Sequence, residues 1–205
     1  MKGLMIKDFY MTLKYCKFLF LADVVFIAVS FFSADNIMFM MFPIIFSGVI
    51  PVTLLSYDER CGWNVYSGTM PYSRAQIVSA KYLMGILIGL ITSAVILGLM
   101  ILRMNIFGEM NIAEALISVG TIFVTSMLLP AICLPFCIQF GTEKGRIVYF
   151  LVILLITAAV GGLLGDGSIF ENVKVILPII PAAIVLIYAV SWVISVVLYK
   201  RKSTV

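Results

Sequence analysis

The feature that most constrains this chain is a succession of apolar runs, each about 20 residues long, separated by short polar connectors. As a helix, a run of that length crosses the roughly 30 Å hydrocarbon layer of a bilayer. Composition points the same way. Sixty-three per cent of the 205 residues are hydrophobic, 12% are charged, and the mean hydropathy is +1.17. A soluble domain has no interior large enough for that, since only about half of its residues are ordinarily apolar. The fold class is therefore all-α: a polytopic membrane protein forming one transmembrane domain over residues 1–205.

The runs predict six spans, at about 15–34, 37–56, 80–102, 112–140, 147–164 and 175–199. An even number places both termini on one side. With the N-terminus inside, every Lys and Arg except Arg103 and Lys174 falls on the cytoplasmic side, and the outer connectors hold Asp35, Glu109, Glu114, Asp166 and Glu171. That bias is the positive-inside signal, so the protein is expected in the cytoplasmic membrane with both termini cytoplasmic. The net charge of +4 then reflects topology and implies no nucleic-acid partner. Residues 1–14 carry Met5, Phe9 and Leu13 on one side of a helix and Lys7, Asp8 and Lys14 on another. Such a helix can lie in the membrane interface beside anionic lipid; a simple extension of span one into water is the alternative. Asp23 interrupts the run that follows, which reads as a permanent span, not a cleaved signal.

Prolines punctuate span two (Pro43, Pro51), span four (Pro130, Pro135) and the start of span six (Pro178, Pro181), and each removes a backbone donor. Span four would be about 43 Å long if straight, so it must tilt or bend. Gly85, Gly89 and Ser93 recur at four-residue spacing on span three, and Ala158 and Gly162 do so on span five. In lipid, small residues at that spacing let helices approach closely.

Several chemistries are missing. The chain has no histidine, which excludes HExxH zinc sites and Ser–His or Cys–His nucleophilic pairs. No GxxxxGK[ST] phosphate loop occurs, so the chain cannot hydrolyse ATP by itself through that route. Cys16, Cys61, Cys133 and Cys137 fall on the reducing side and suggest packing; two thiols make a poor structural zinc site. Asp23 is the one acid inside a span, about 12 Å along its axis. An intramembrane carboxylate faces a bundle interior or water, so Asp23 reads as either a wet vestibule group or a substrate-facing one. Ser47 and Thr53 are polar points on span two and join Asp23 as pathway or vestibule candidates.

The longest connector, residues 57–79, is polar and aromatic. Ser73-Arg-Ala-Gln76 is an S-x-x-Q capping box that starts a helix at Arg74 and carries it through Lys81 into span three. The first half, "YDERCGWNVYSG", continues from span two and is expected to stop at Gly68. Trp63, Tyr57, Tyr66 and Tyr72 suit an interfacial belt or a protein interface equally well.

Three pieces, "MKGLMIKDFY", "SYDERCGWNVYSGTMPYSRAQIVSAKYL" and "YKRKSTV", resemble the permease subunits of bacterial type-two ABC exporters. The likeness is to the small six-span branch that includes phenol-soluble modulin exporter permeases. The resemblance implies an N-terminal helix along the membrane and a coupling helix between spans two and three. That helix would dock on a separate ATP-binding subunit, two copies of which would join two permeases, either a second copy of this chain or a homologous one. It makes Asp58, Glu59, Arg60, Trp63, Asn64 and Tyr66 the ATPase-coupling candidates. No cofactor would be bound by this chain, with ATP and Mg on the partner, and the chain itself would not be an enzyme. The cargo expected is amphipathic or hydrophobic, a peptide toxin or antimicrobial peptide. Two other readings are a six-span vitamin-importer component, whose Ala-x-x-x-Ala face is matched only by the wrongly spaced Ala22 and Ala28, and a membrane-embedded enzyme.

Overall fold

The N-terminal run folds as two helices, α1 (Lys2–Tyr15) and α2 (Lys17–Phe32), meeting at 64° around Cys16. The corner is held by packing. Cys16 is buried with Ile50, Leu54, Met84 and Ile88, and the Tyr15 ring stacks on Tyr57 at 4.3 Å. This computed structural model describes residues 2–32, 39–67, 72–107, 112–145, 147, 151 and 179–202. Within them follow α3 (Phe42–Ser47), α4 (Ile50–Arg60), α5 (Trp63–Ser67), α6 (Arg74–Phe107), α7 (Ile112–Ser126), α8 (Leu128–Phe140) and α9 (Ile179–Lys202). No strand occurs among the described residues.

Local chemistry explains the boundaries. Pro43 and Pro51 each open a helix, α3 and α4, at the turn where a missing N–H costs nothing. The predicted capping box forms at the start of α6: Ser73 Oγ accepts from the Gln76 N–H at 3.3 Å, and Gln76 Oε1 accepts from the Ser73 N–H at 3.0 Å. One boundary differs from expectation. The extension of span two does not run on towards Gly68, because it breaks at Cys61 and Gly62, where Gly62 takes a φ of 66°. That left-handed conformation ends α4 and re-aims the chain into the separate short helix α5.

Three helices are long and apolar enough to cross a membrane: α6, the α7–α8 run Ile112–Phe140, and α9. Two bent pairs, α1–α2 and α3–α4 (40°), raise the number to five if each pair is one span. The six spans expected thus become three to five among the described residues, and span five at 147–164 lies almost wholly outside them. Span two is broken into α3 and α4, and span three is longer than expected because α6 already starts at the capping box. The outward faces of α6 and α9 carry Leu90, Ile91, Val95, Val185, Leu186 and Val190, the surface that lipid solvates.

Packing falls into two main apolar clusters. One joins Met40, in the turn just before α3, with Ile44 of α3, Ile96 and Met100 of α6, and Ala115 and Val119 of α7. The other joins α4, α6 and α8 through Val52, Val78, Tyr82, Cys133, Leu134 and Cys137, and α9 closes over it. The glycine face of span three is used as its spacing implied. A methyl on Gly85 would stand 2.7 Å from Pro51 Cγ, and one on Gly89 would stand 2.8 Å from the Phe123 ring. Both positions are glycine because neighbouring helices occupy the Cβ space.

Pro135 has a consequence in a neighbouring helix. It removes the N–H that would reach the Ala131 carbonyl four residues back. Ser191 Oγ of α9 donates to that carbonyl instead. Tyr82 Oη of α6 then sits 2.8 Å from Ser191 Oγ and 2.7 Å from Ser195 Oγ, while the Tyr188 hydroxyl donates to the Tyr82 carbonyl at 2.9 Å. One proline therefore organises a polar seam that pins α6, α8 and α9 together.

Candidate functional site

α1 buries against the bundle a face that carries an acid and leaves part of its apolar stripe outward. Leu4, Asp8, Thr12 and Cys16, at four-residue spacing, are buried. Phe9 and Leu13 face outward with Ile6 and Tyr10. Burying the face that holds an acid requires partners inside, and they come from three elements. Lys81 Nζ of α6 lies 2.7 Å from Asp8 Oδ1 and 2.5 Å from Asp58 Oδ2 of α4. Lys7 Nζ lies 2.7 Å from Asp58 Oδ1 and 3.3 Å from Asp8 Oδ1. Two cations and two carboxylates thus form a neutral ring in which each acid meets both lysines.

The ring is almost dry. Asp8, Asp58 and Lys81 are 1%, 3% and 5% exposed, and only Lys7 reaches the surface. Lys7 Nζ also stands 3.9 Å from the centroid of the Trp63 ring, a cation–π contact that seats α5 on α1. A small apolar cavity lined by Leu55, Trp63, Val78, Leu134 and Tyr199 adjoins Asp58 and Lys81. With so little water to screen them, the charges bind strongly as a set and are costly to leave singly. α1, the end of α4, α5 and the start of α6 are locked into one body by this ring.

Above the ring lies an exposed polar turn. Glu59, Arg60, Cys61 and Gly62 are exposed, and Tyr66 is 58% exposed beside Trp63, with ring centroids 5.6 Å apart. Glu59 has a specific job: its Oε2 accepts from the Thr142 N–H at 2.7 Å, at the start of the helical turn 142–145 that follows α8. Gly141, with φ of 88°, lets the chain turn there, and a methyl on it would stand 3.0 Å from Glu59 Oε1. A polar cleft forms between the two connections, lined by Glu59, Arg60, Phe140, Thr142, Glu143 and Lys144.

Among the coupling candidates, the structure gathers Asp58, Glu59, Arg60, Trp63 and Tyr66 within one region but gives them different surroundings. Asp58 lies inside the ion ring, Glu59 holds a second connection, and Arg60 and Tyr66 face outward. Asn64 belongs to α5 by its backbone. The pathway candidates lie apart from this region. Asp23, on α2, is half-buried, and its Oδ1 has no hydrogen-bond partner among the described residues. Ser47 Oγ donates to the Ile44 carbonyl at 2.6 Å, and Thr53 Oγ1 donates to the Val49 carbonyl at 3.1 Å. Both hydroxyl protons are thus spent on their own helices.

Sequence reasoning missed Lys7, Asp8 and Lys81 as members of a site. Their signal was present: Lys81 interrupts the otherwise apolar lead-in "IVSAKYLMG", where a lone cation needs an internal partner. No cluster of three or more metal-ligating side chains occurs among the described residues.

Fold and site together define an all-helical integral membrane protein with a charge-locked helical platform at one end. A family model described as ABC-2 family transporter protein matches residues 3–200. The chain belongs to that family: it is a membrane permease component of an ABC transporter, and the family implies an ATP-binding partner. No curated protein and no solved structure matches it.

Proposed function

We propose that this chain is the transmembrane permease subunit of an ATP-driven exporter, and that residues 57–79 form its coupling segment to a separate ATP-binding subunit. The observation that carries the reading is the buried Lys7–Asp8–Asp58–Lys81 ring beneath the exposed Arg60–Tyr66 turn. A permease without an ATPase site must receive its work through a mechanical contact. A surface turn fixed to the starts and ends of several membrane helices suits that task, because a push on it cannot be absorbed locally. In this reading Arg60, Trp63 and Tyr66 meet the partner, with Asn64 beside them, while Asp58 and Glu59 stiffen the contact from within. Arg, Trp and Tyr are the residue types that dominate protein interfaces.

The working assembly is two ATP-binding subunits with two permeases, the second a copy of this chain or a homologous one. ATP and Mg are bound by the partner, and both termini of the permease face the cytoplasm. α1, with Ile6, Phe9, Tyr10 and Leu13 outward, lies along the lipid interface. The cargo is amphipathic or hydrophobic, a toxin-like or antimicrobial peptide, and moves outward. Asp23 is the pathway group of this reading, with Ser47 and Thr53 near the bend of span two.

Inverted membrane vesicles carrying the complex test direction and cargo together. A labelled amphipathic helical peptide should accumulate inside only with ATP, and Asp23→Asn should slow accumulation at normal expression. ATP-independent uptake would sink the exporter reading. Unchanged transport in Asp23→Asn would remove that residue from the pathway.

A further inference from the structure

Span two, bent by 40° between α3 and α4, and span four, interrupted only at Met127 within the run Ile112–Phe140, carry the same local pattern. Span two reads Ser47-Gly-Val-Ile-Pro51 and span four reads Ser126-Met-Leu-Leu-Pro130. In each, the proline deletes the donor that would have reached the serine carbonyl. In each, the serine hydroxyl donates back three residues: Ser47 Oγ to the Ile44 carbonyl at 2.6 Å, and Ser126 Oγ to the Phe123 carbonyl at 2.8 Å. Such back-bonding bends helices. The chain tightens to i→i−3 bonds at both places, with Gly48 N–H to the Ile45 carbonyl at 3.1 Å and Met127 N–H to the Val124 carbonyl at 3.1 Å. Four-residue spacing between Ser and Pro thus writes the same soft joint twice.

The two joints also touch. A methyl on Gly48 would stand 2.6 Å from the Ser126 carbonyl oxygen, so the backbones meet directly at that point. α6 runs past both without a break, and its glycines form the seat: Gly85 lies under Pro51, and Gly89 lies under Phe123 and Met127. Beyond the joints, α4 and α8 pack through Val52, Leu55, Cys133, Leu134 and Cys137. At their far ends they are joined again by the Glu59–Thr142 hydrogen bond. The pair is therefore connected at the joint, along its length and at the surface turn.

We infer that α4 and α8 move as one rigid body with the start of α6, to which the ion ring and the Tyr82–Ser191 seam fix them, and that this body turns relative to α3 and α7 about a common hinge formed by Ser47–Val49 and Ser126–Met127, with Glu59 as the strut that keeps the far ends together. The inference rests on the coupling reading above. A push on the turn would go into spans two and four at once, with α3 and α7 left behind the hinge. Glu59 is a positioning residue in this scheme and touches no cargo.

Electron paramagnetic resonance distances in the intact complex with its ATP-binding subunit test the inference. Cys61 is exposed and serves as one label site, while Cys16, Cys133 and Cys137 are buried. A Cys61 and Gln139→Cys pair reports the α4–α8 body. In a Cys61→Ser background, an Ile117→Cys and Gln139→Cys pair reports across the hinge. Between nucleotide-free and vanadate-trapped states, the 61/139 distribution should stay fixed while the 117/139 distribution shifts. Gly48→Ala should suppress that shift without altering the 61/139 pair, and Glu59→Ala should broaden the 61/139 pair. A 61/139 distance that shifts as far as the 117/139 distance overturns the inference, and so does a complex that traps nucleotide with neither pair moving. Failure to isolate any ATP-binding subunit would overturn the functional reading itself, a separate result visible before labelling begins.

Discussion

Asp58 and Lys81 show how a single side chain can be indispensable yet its pair replaceable. Removing one member of a buried ion cluster strands the others in a low-dielectric interior, at a cost of about 3–5 kcal/mol. Asp58→Ala should lower thermal stability in detergent by that amount. The double change Asp58→Leu with Lys81→Met leaves the neutral Lys7–Asp8 pair and should recover most of the loss. The glycines give a second contrast at this scale. Gly85→Ala pushes a methyl against Pro51 and should cost about 1–3 kcal/mol through overpacking. Gly98 meets nothing within 4 Å, so Gly98→Ala should be neutral or gain up to about 1 kcal/mol from helix propensity. Thermal unfolding of both variants in one detergent checks the pair of signs.

Among the elements, α8 and α9 are tied by chemistry that a proline made necessary. Pro135→Ala restores the backbone donor to the Ala131 carbonyl, so that carbonyl no longer depends on Ser191 as its donor. Ser191→Ala should therefore cost about 1 kcal/mol in the native background and clearly less in the Pro135→Ala background. A double-mutant cycle measures the difference. Elements whose rules are local were legible in advance: the Ser73–Gln76 box fixed the start of α6, and the glycine spacing of span three marked its contact face. The ion ring on the buried face of α1 was not legible, because it depends on Lys81 and Asp58, residues distant in the chain. The break at Gly62 was missed for a related reason. A glycine near the end of a polar run signals a stop only if the left-handed conformation is used there, and Gly68 competed for that role. Asp58 was picked out as a site residue, but its burial follows from packing that periodicity does not encode.

In the whole molecule, a family permease's membrane helices reach a surface turn through a locked ionic ring. Apolar runs alone established the membrane class, and the resemblance to exporter permeases implied the ATP-binding partner that the family match supports. Neither shows where the partner binds; the proposed contact rests on Arg60 and Tyr66 facing outward beside the half-buried Trp63. The most direct measurement is ATP hydrolysis by the complex purified through the full-length permease, with and without an amphipathic helical peptide. Wild type should bring an ATP-binding subunit with it and hydrolyse faster when peptide is added. Trp63→Ala and Glu59→Arg should lose that stimulation while the basal rate of the partner persists. A wild-type preparation lacking any ATP-binding subunit, or variants that associate and respond to peptide as wild type does, would contradict the account.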